Sequence, residues 1–219
     1  MTLALNIKDL RVEQDRQELL AVKQLQVPAG QALGIQGPSG AGKSTLLFAL
    51  AGLLPASSGR ILWGETEITA LSGAALTKFR ADFIGMIFQD YLLFDELSAF
   101  ANASLTALFS RHAERHAIRS SASSLLEAMR VPNTKRSVAS FSGGERQRVA
   151  VARAMAKSAP IILADEPTAN LQRQAADALA EDLVQQTRVE GTTLIVVSHD
   201  EAVLARMDRV VSLSDGRLS

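Results

Sequence analysis

Three short segments of the chain combine residue types and spacing that suit chemistry on phosphate groups. Gly37-Pro38-Ser39-Gly40-Ala41-Gly42-Lys43-Ser44 is a G-x-x-x-x-G-K-S run. Its glycines let the backbone fold tightly enough for successive N–H groups to face one anion, and a helix opening behind them adds partial positive charge at the same point. Lys43 supplies a full positive charge for the β- and γ-phosphates, and the Ser44 hydroxyl is an oxygen ligand for Mg2+. Ile161-Ile162-Leu163-Ala164-Asp165-Glu166 is an apolar run that ends in two carboxylates. Successive strand residues face opposite ways, so Asp165 is placed to help hold the metal while Glu166 is placed to polarise an attacking water. Ser142-Gly143-Gly144-Glu145-Arg146-Gln147 pairs a capping serine with two glycines at a helix start, which makes a second anion-binding N-terminus in the same chain.

The surrounding pattern supplies elements to position these groups. Leu3 to Leu10, Leu19 to Val27 and Gln31 to Gln36 read as strands, the last running straight into the glycine loop. Ser44 to Gly52 has helical spacing and is closed by Gly52 and Pro55. Ile61 to Glu65 and Ile84 to Phe88 read as further strands. From Tyr91 to Lys135 the composition turns to Ala, Leu, Ser, Arg and Glu with helical periodicity, a mostly helical insertion broken at Pro132. Strands resume at Ile161 to Ala164 and Thr193 to Val197, with helices at Glu145 to Lys157 and Gln174 to Glu190, and Val210 to Leu213 closes the pattern ahead of the turn Asp215-Gly216-Arg217. Alternating strand and helix implies a parallel sheet in an α/β protein.

Composition excludes several function classes. The chain has 219 residues, enough for one large domain with its own core, and no cysteine, so disulfides, thiolate metal sites and thiol nucleophiles are ruled out. Lys plus Arg equals Asp plus Glu at 23 each, which gives no overall attraction to nucleic acid. The most basic stretch, Arg111 to Arg119, reads as a solvated helix face. No apolar run approaches the roughly 20 residues of a membrane-spanning helix. The segment Met1 to Asn6 lacks the features of a secretory signal, so cytoplasmic residence is the expectation.

Taken together, the glycine loop, Asp165-Glu166 and Phe141-Ser142-Gly143-Gly144-Glu145-Arg146-Gln147-Arg148-Val149-Ala150 resemble the Walker A, Walker B and signature motifs of the ATP-binding-cassette (ABC) family. Gln89 and His199, each just past an apolar run, resemble its Q-loop glutamine and switch histidine. The resemblance covers nearly the whole chain. It implies a P-loop NTPase core with a parallel sheet, an N-terminal antiparallel β subdomain and an inserted α-helical subdomain, with residues 1–90 and 157–219 forming the core and about 91–156 the signature-bearing lobe. It further implies an ATPase that uses ATP and Mg2+. By the same resemblance, nucleotide would be bound by residues 37–44 and Thr45 of one copy together with Ser142, Gly143 and Gly144 of a second, head-to-tail copy, Ser44, Gln89 and Asp165 would serve the metal, and Glu166, His199 and Gln89 would serve hydrolysis. An integral membrane permease on a separate chain is the implied partner, which places the protein on the inner face of the cell membrane; no nucleic-acid partner is implied.

Pro167-Thr168-Ala169-Asn170-Leu171, Ile84 to Gln89 and the signature segment look most like the lipoprotein-release, macrolide-export and cell-division subgroup. Two positions depart from the family pattern. No Phe, Tyr, Trp or His stands between Lys8 and Val27 to stack on adenine, which leaves base contact to Val12 or a neighbour, and Gln172 stands where the D-loop normally has aspartate. The rival readings are a soluble ABC ATPase working on nucleic acid or ribosomes, which would need a second cassette or a coiled-coil insertion, and an ATP-sensing module without useful turnover.

Overall fold

The computed structural model describes residues 2–132, 135–169 and 171–218. In chain order the elements are β1 (Leu5–Gln14), β2 (Gln17–Val27), β3 (Ala32–Gln36), α1 (Lys43–Leu50), β4 (Ser58–Trp63), β5 (Thr66–Glu67), α2 (Gly73–Phe83), β6 (Ile84–Ile87), α3 (Ala99–Ala103), α4 (His112–Ala128), α5 (Gly143–Met155), β7 (Ile161–Asp165), α6 (Arg173–Glu190), β8 (Thr193–Val197), α7 (Glu201–Leu204), β9 (Arg209–Ser214) and β10 (Arg217–Leu218).

Alternation builds the first sheet, ordered β2-β1-β4-β5 with antiparallel neighbours. In β1 the buried residues are Leu5, Ile7, Leu10 and Val12, so the period of two slips once between Ile7 and Leu10. A bulge absorbs the slip. Asp9 sits at φ 47° and the pairing of β1 with β4 shifts between Lys8 and Arg11. Opposite it, a Cβ on Gly59 would lie 2.2 Å from the Asp9 carbonyl oxygen, so only glycine fits.

The second sheet runs β10-β9-β3-β8-β7-β6, parallel throughout except for the antiparallel β9–β10 edge. Every residue of β7 and β8 is buried, as expected of central parallel strands covered on both faces. One apolar cluster joins the first sheet to α1 and one face of the second, and there the buried Trp63 donates its indole N–H to the Leu50 carbonyl at 3.0 Å. The other face packs on helices α5 and α6, with Val149, Val151, Ala152, Leu179 and Leu183 in that core. The helices between β6 and β7 share this second cluster: α5 packs on α3 and α4, and α4 buries the stripe Ile118, Ala122 and Leu125 at helical spacing.

The α/β class with a parallel core sheet and an antiparallel N-terminal sheet is as the sequence implies. Two elements differ. Helix α2, capped by Ser72 on the Ala75 N–H, occupies a stretch for which the pattern suggests no element. The segment after Gln89 is not helical at its start: Tyr91 and Leu92 take left-handed φ values of 62° and 48°, and helix begins only at Ala99.

Candidate active site

Parallel pairing brings the carboxyl ends of β3, β6, β7 and β8 to one edge of the sheet, where such sheets collect ligands. A cleft of about 590 Å3 opens there, lined by Gly37, Pro38, Ser39, Gly40, Gly42, Lys43, Ser44, Thr45, Gln89, Asp165, Glu166 and His199. Apart from buried Ala41 and the three residues of the signature turn, every expected site residue meets in this cleft.

The loop from Gly37 to Gly42 has the form that an anion cradle needs. A Cβ at Gly37 would stand 2.0 Å from the Leu213 carbonyl oxygen, which forces glycine where β3 leaves the sheet beside β9. Gly42, at φ 93°, is the N-cap of α1 and makes no side-chain cap, so the helix N-terminus stays open to the cleft. The Lys43 ammonium folds over the loop and donates to the carbonyls of Gly37 at 2.8 Å and Pro38 at 2.9 Å. Its charge is thereby placed above the loop where phosphates would lie.

Asp165 ends β7 and is only 4% exposed. Burial raises its carboxyl above the ordinary range, opposed by a hydrogen bond from the Ser44 side chain, and its Oδ1 has no hydrogen-bond partner among the described residues. A buried carboxylate oxygen left without a partner beside a serine hydroxyl fits a hard divalent cation that takes oxygen ligands.

Glu166 follows in a left-handed turn at φ 44°, with its N–H bonded to the Val197 carbonyl at 2.9 Å. That turn sends its side chain toward the end of β8, where Oε1 accepts from His199 Nδ1 at 2.9 Å and Oε2 accepts from the Ser198 hydroxyl at 3.2 Å. With Nδ1 carrying the proton, a neutral ring leaves Nε2 as an acceptor. The imidazole is 71% exposed and free to exchange this contact for another. Gln89 lines the same cleft just past β6.

Ser142, Gly143 and Gly144 line no part of this cleft. Ser142 caps α5 in a reciprocal box: its hydroxyl accepts from the Glu145 N–H at 3.3 Å, and Glu145 Oε2 accepts from the Ser142 N–H at 2.8 Å. The Ser142 hydroxyl and N–H hold the Glu145 carboxyl below its ordinary range. A Cβ on Gly144 would sit 3.2 Å from Leu171 Cδ2, so the turn lies close to the loop that follows Glu166.

Known proteins share the sequence pattern and the fold of this chain. The sequence pattern of the family described as ABC transporter matches residues 20–169. The chain belongs to the ABC transporter family of ATP-binding cassettes. The cassette is 35% identical over 204 residues to the lipoprotein-releasing system ATP-binding protein LolD of Syntrophotalea carbinolica, covering 93% of this chain and 90% of that one. It is 40% identical over 201 residues to the uncharacterized ABC transporter ATP-binding protein YbbA of Escherichia coli K12, covering 91% and 88%. Among solved structures it superposes on the dimeric bacterial ABC transporter cassette MJ0796 with a TM-score of 0.86 at 30% identity, covering 98% and 96% of the two chains. A post-hydrolysis dimer of the same protein with ADP and Pi gives 0.85, also at 30% identity.

Two findings about this cassette differ from or add to what its motifs suggest. Val12 is fully buried in the core between the sheets and has no surface to offer a base; the neighbouring exposed residues, from Glu13 to Glu18, are all polar or charged. Motif reading also misses Ser198, which contacts Glu166, and Arg153, whose guanidinium bonds the carbonyls of Tyr91 and Leu92 and so ties the loop after Gln89 to α5. An isolated serine or arginine carries no sequence signal for such a contact. Asn170, part of the subgroup resemblance, lies outside the described residues. Among the described residues no helix is long and apolar enough to cross a membrane.

Proposed function

We propose that this cassette binds and hydrolyses ATP as one of two identical subunits that drive a separately encoded membrane permease. The observation that carries the reading is the convergence, at one sheet edge, of an open helix N-terminus with Lys43, a buried carboxylate with an unpartnered oxygen, and a second carboxylate oriented by His199 and Ser198. In this account residues 37–45 bind the triphosphate through backbone N–H groups and Lys43. Ser44, Asp165 and Gln89 would hold Mg2+, which when bound neutralises charge on the phosphate oxygens. Glu166 accepts a hydrogen bond from the attacking water and orients it, and His199 exchanges its bond to Glu166 for the γ-phosphate.

Ser142, Gly143 and Gly144 stand away from their own chain's cleft, so they contribute to the nucleotide held by a second copy arranged head to tail. The similarity to a dimeric cassette supports this arrangement. Residues 1–90 and 157–219 then act as the nucleotide core and about 91–156 as the lobe that carries the signature turn. The permease engages the stretch from Gln89 to Asn102, where Leu92 and Phe94 are exposed, and so holds the cassette at the inner face of the membrane. The relatives' names support a permease of the lipoprotein-release type.

The test is steady-state ATPase activity of the wild type beside Glu166→Gln. The account expects turnover in the wild type, near-complete loss in the variant and retained ATP binding in both. Equal turnover in the two would remove Glu166 from the mechanism.

A further inference from the structure

A second cleft, of about 440 Å3, shares Glu166 and His199 with the nucleotide cleft and is lined beyond them by Thr168, Leu171, Arg173 and Asp200, among others. Arg173 is the first residue of α6 and directly follows Gln172, the uncharged replacement in the D-loop. Its guanidinium reaches two carboxylates. Nε donates to Asp177 Oδ2 at 3.0 Å, one turn along the same helix, and Nη1 donates to Asp200 Oδ1 at 3.0 Å, on the turn that carries His199.

Asp200 is itself tied inward. Its Oδ1 accepts from the Ala202 N–H at 2.9 Å as the N-cap of α7, and its own N–H donates to the Ser198 hydroxyl at 3.1 Å. That hydroxyl donates to Glu166 Oε2 at 3.2 Å, while His199 between them bonds Oε1. Arg173, Asp200, Ser198 and Glu166 thus form an unbroken chain of hydrogen bonds from the start of α6 to the carboxylate that faces the nucleotide cleft. Burial pushes the Asp200 carboxyl up, but the Ala202 N–H and the Arg173 guanidinium outweigh it and hold the group below its ordinary range. The arginine is 62% exposed, so the pair contributes little to global stability, and its consequence lies in where it holds the turn.

We propose that Arg173 is a positioning residue: through Asp200 it fixes the Ser198–His199 turn against Glu166, so that the carboxylate and the imidazole keep one relative placement. Charge linkage between the loop after Glu166 and the histidine turn is thereby provided within one chain, at the residue following Gln172. The kinetic consequence rests on the hydrolytic role proposed above; the structural consequence does not.

Both are tested with Arg173→Gln, Arg173→Lys, Asp200→Asn, the Arg173→Gln/Asp200→Asn double variant and Asp177→Ala. Asparagine keeps an oxygen for the cap of α7 and removes only the charge. The expected result is a kcat lowered about fivefold to tenfold in Arg173→Gln and in Asp200→Asn, with KM within about twofold of wild type. The double variant is expected to be no slower than either single one, Arg173→Lys close to wild type, and Asp177→Ala unaffected. Independently of turnover, the His199 ring resonance, one of only three histidines, moves in Arg173→Gln and moves no further in the double variant. Losses that multiply in the double variant, a wild-type kcat in Arg173→Gln, or an unmoved His199 resonance would overturn the link. A wild type without ATPase activity would overturn the hydrolytic role instead and leave the resonance to judge Arg173.

Discussion

Gly37–Ser44 and Ser142–Glu145 are both glycine-containing entrances to helices, yet they meet opposite surroundings. At the phosphate loop the N-cap is a glycine with no side-chain partner, the walls are strand ends, and a buried carboxylate oxygen lacks a partner nearby. At the signature turn the N-cap is a serine whose hydroxyl and N–H are both engaged by Glu145, and no wall of the cleft stands opposite. One entrance is left without a side-chain cap; the other is finished by a reciprocal capping box. Helix N-termini are interchangeable as anion sites only until their caps are considered. In the proposed account the open entrance holds nucleotide within its own chain, whereas the capped one needs a ligand presented from outside, which a second copy would provide.

Four substitutions sharpen or break this contrast, in decreasing order of effect. Glu166→Gln keeps the hydrogen bonds to Ser198 and removes the carboxylate, so kcat should fall by about a thousandfold with ATP affinity preserved, as read by single-turnover hydrolysis and fluorescent-nucleotide binding. Gly37→Ala drives a Cβ against the Leu213 carbonyl, and urea unfolding should show a loss of about 3 kcal/mol with nucleotide binding abolished. A wild-type midpoint in that variant would show that the loop is not wedged against β9. Ser142→Ala removes the cap of α5 and should cost about 1 kcal/mol in stability while leaving ATP binding by the isolated chain unchanged; weakened binding to the monomer would place the turn at its own chain's nucleotide.

The smallest effect is a gain. Burial raises the Asp165 carboxyl, so the folded state holds that proton more tightly than the unfolded chain does. The resulting cost to stability is absent below the unfolded value of about 3.9, grows as pH rises toward the raised folded value and is complete above it. Asp165→Asn should therefore be slightly more stable than wild type at neutral pH, by less than about 1 kcal/mol, lose that advantage on acidification, and bind Mg–ATP more weakly than wild type. Thermal melts across pH, with and without Mg–ATP, check both signs.

The cleft was readable from the sequence because its parts are local: a glycine loop, a strand ending in Asp165-Glu166, and Gln89 and His199 just beyond apolar runs. Parallel strand order then brings these ends together without further information. What stayed hidden depends on non-local placement. Arg173 and Asp200 are 27 residues apart and meet only because α6 begins beside the turn after β8. Val12 reads as available in the sequence because alternation says which residues share a face and not which face is covered. Helix α2 is weakly apolar and its stretch resembles a connection; the Ser72 cap and the burial of Phe79 are evident only in the fold. The left-handed Tyr91 and Leu92 are held by Arg153 from α5, a contact that local propensity for helix cannot report.

Sedimentation velocity of Glu166→Gln, with ATP and Mg2+ and without nucleotide, tests most directly whether the two entrances complete each other across copies. The account predicts a monomer without nucleotide and a dimer with Mg–ATP, the dimer being lost when Ser142→Ala is added. A monomer under both conditions at saturating Mg–ATP, or a dimer indifferent to nucleotide and to Ser142, would contradict it.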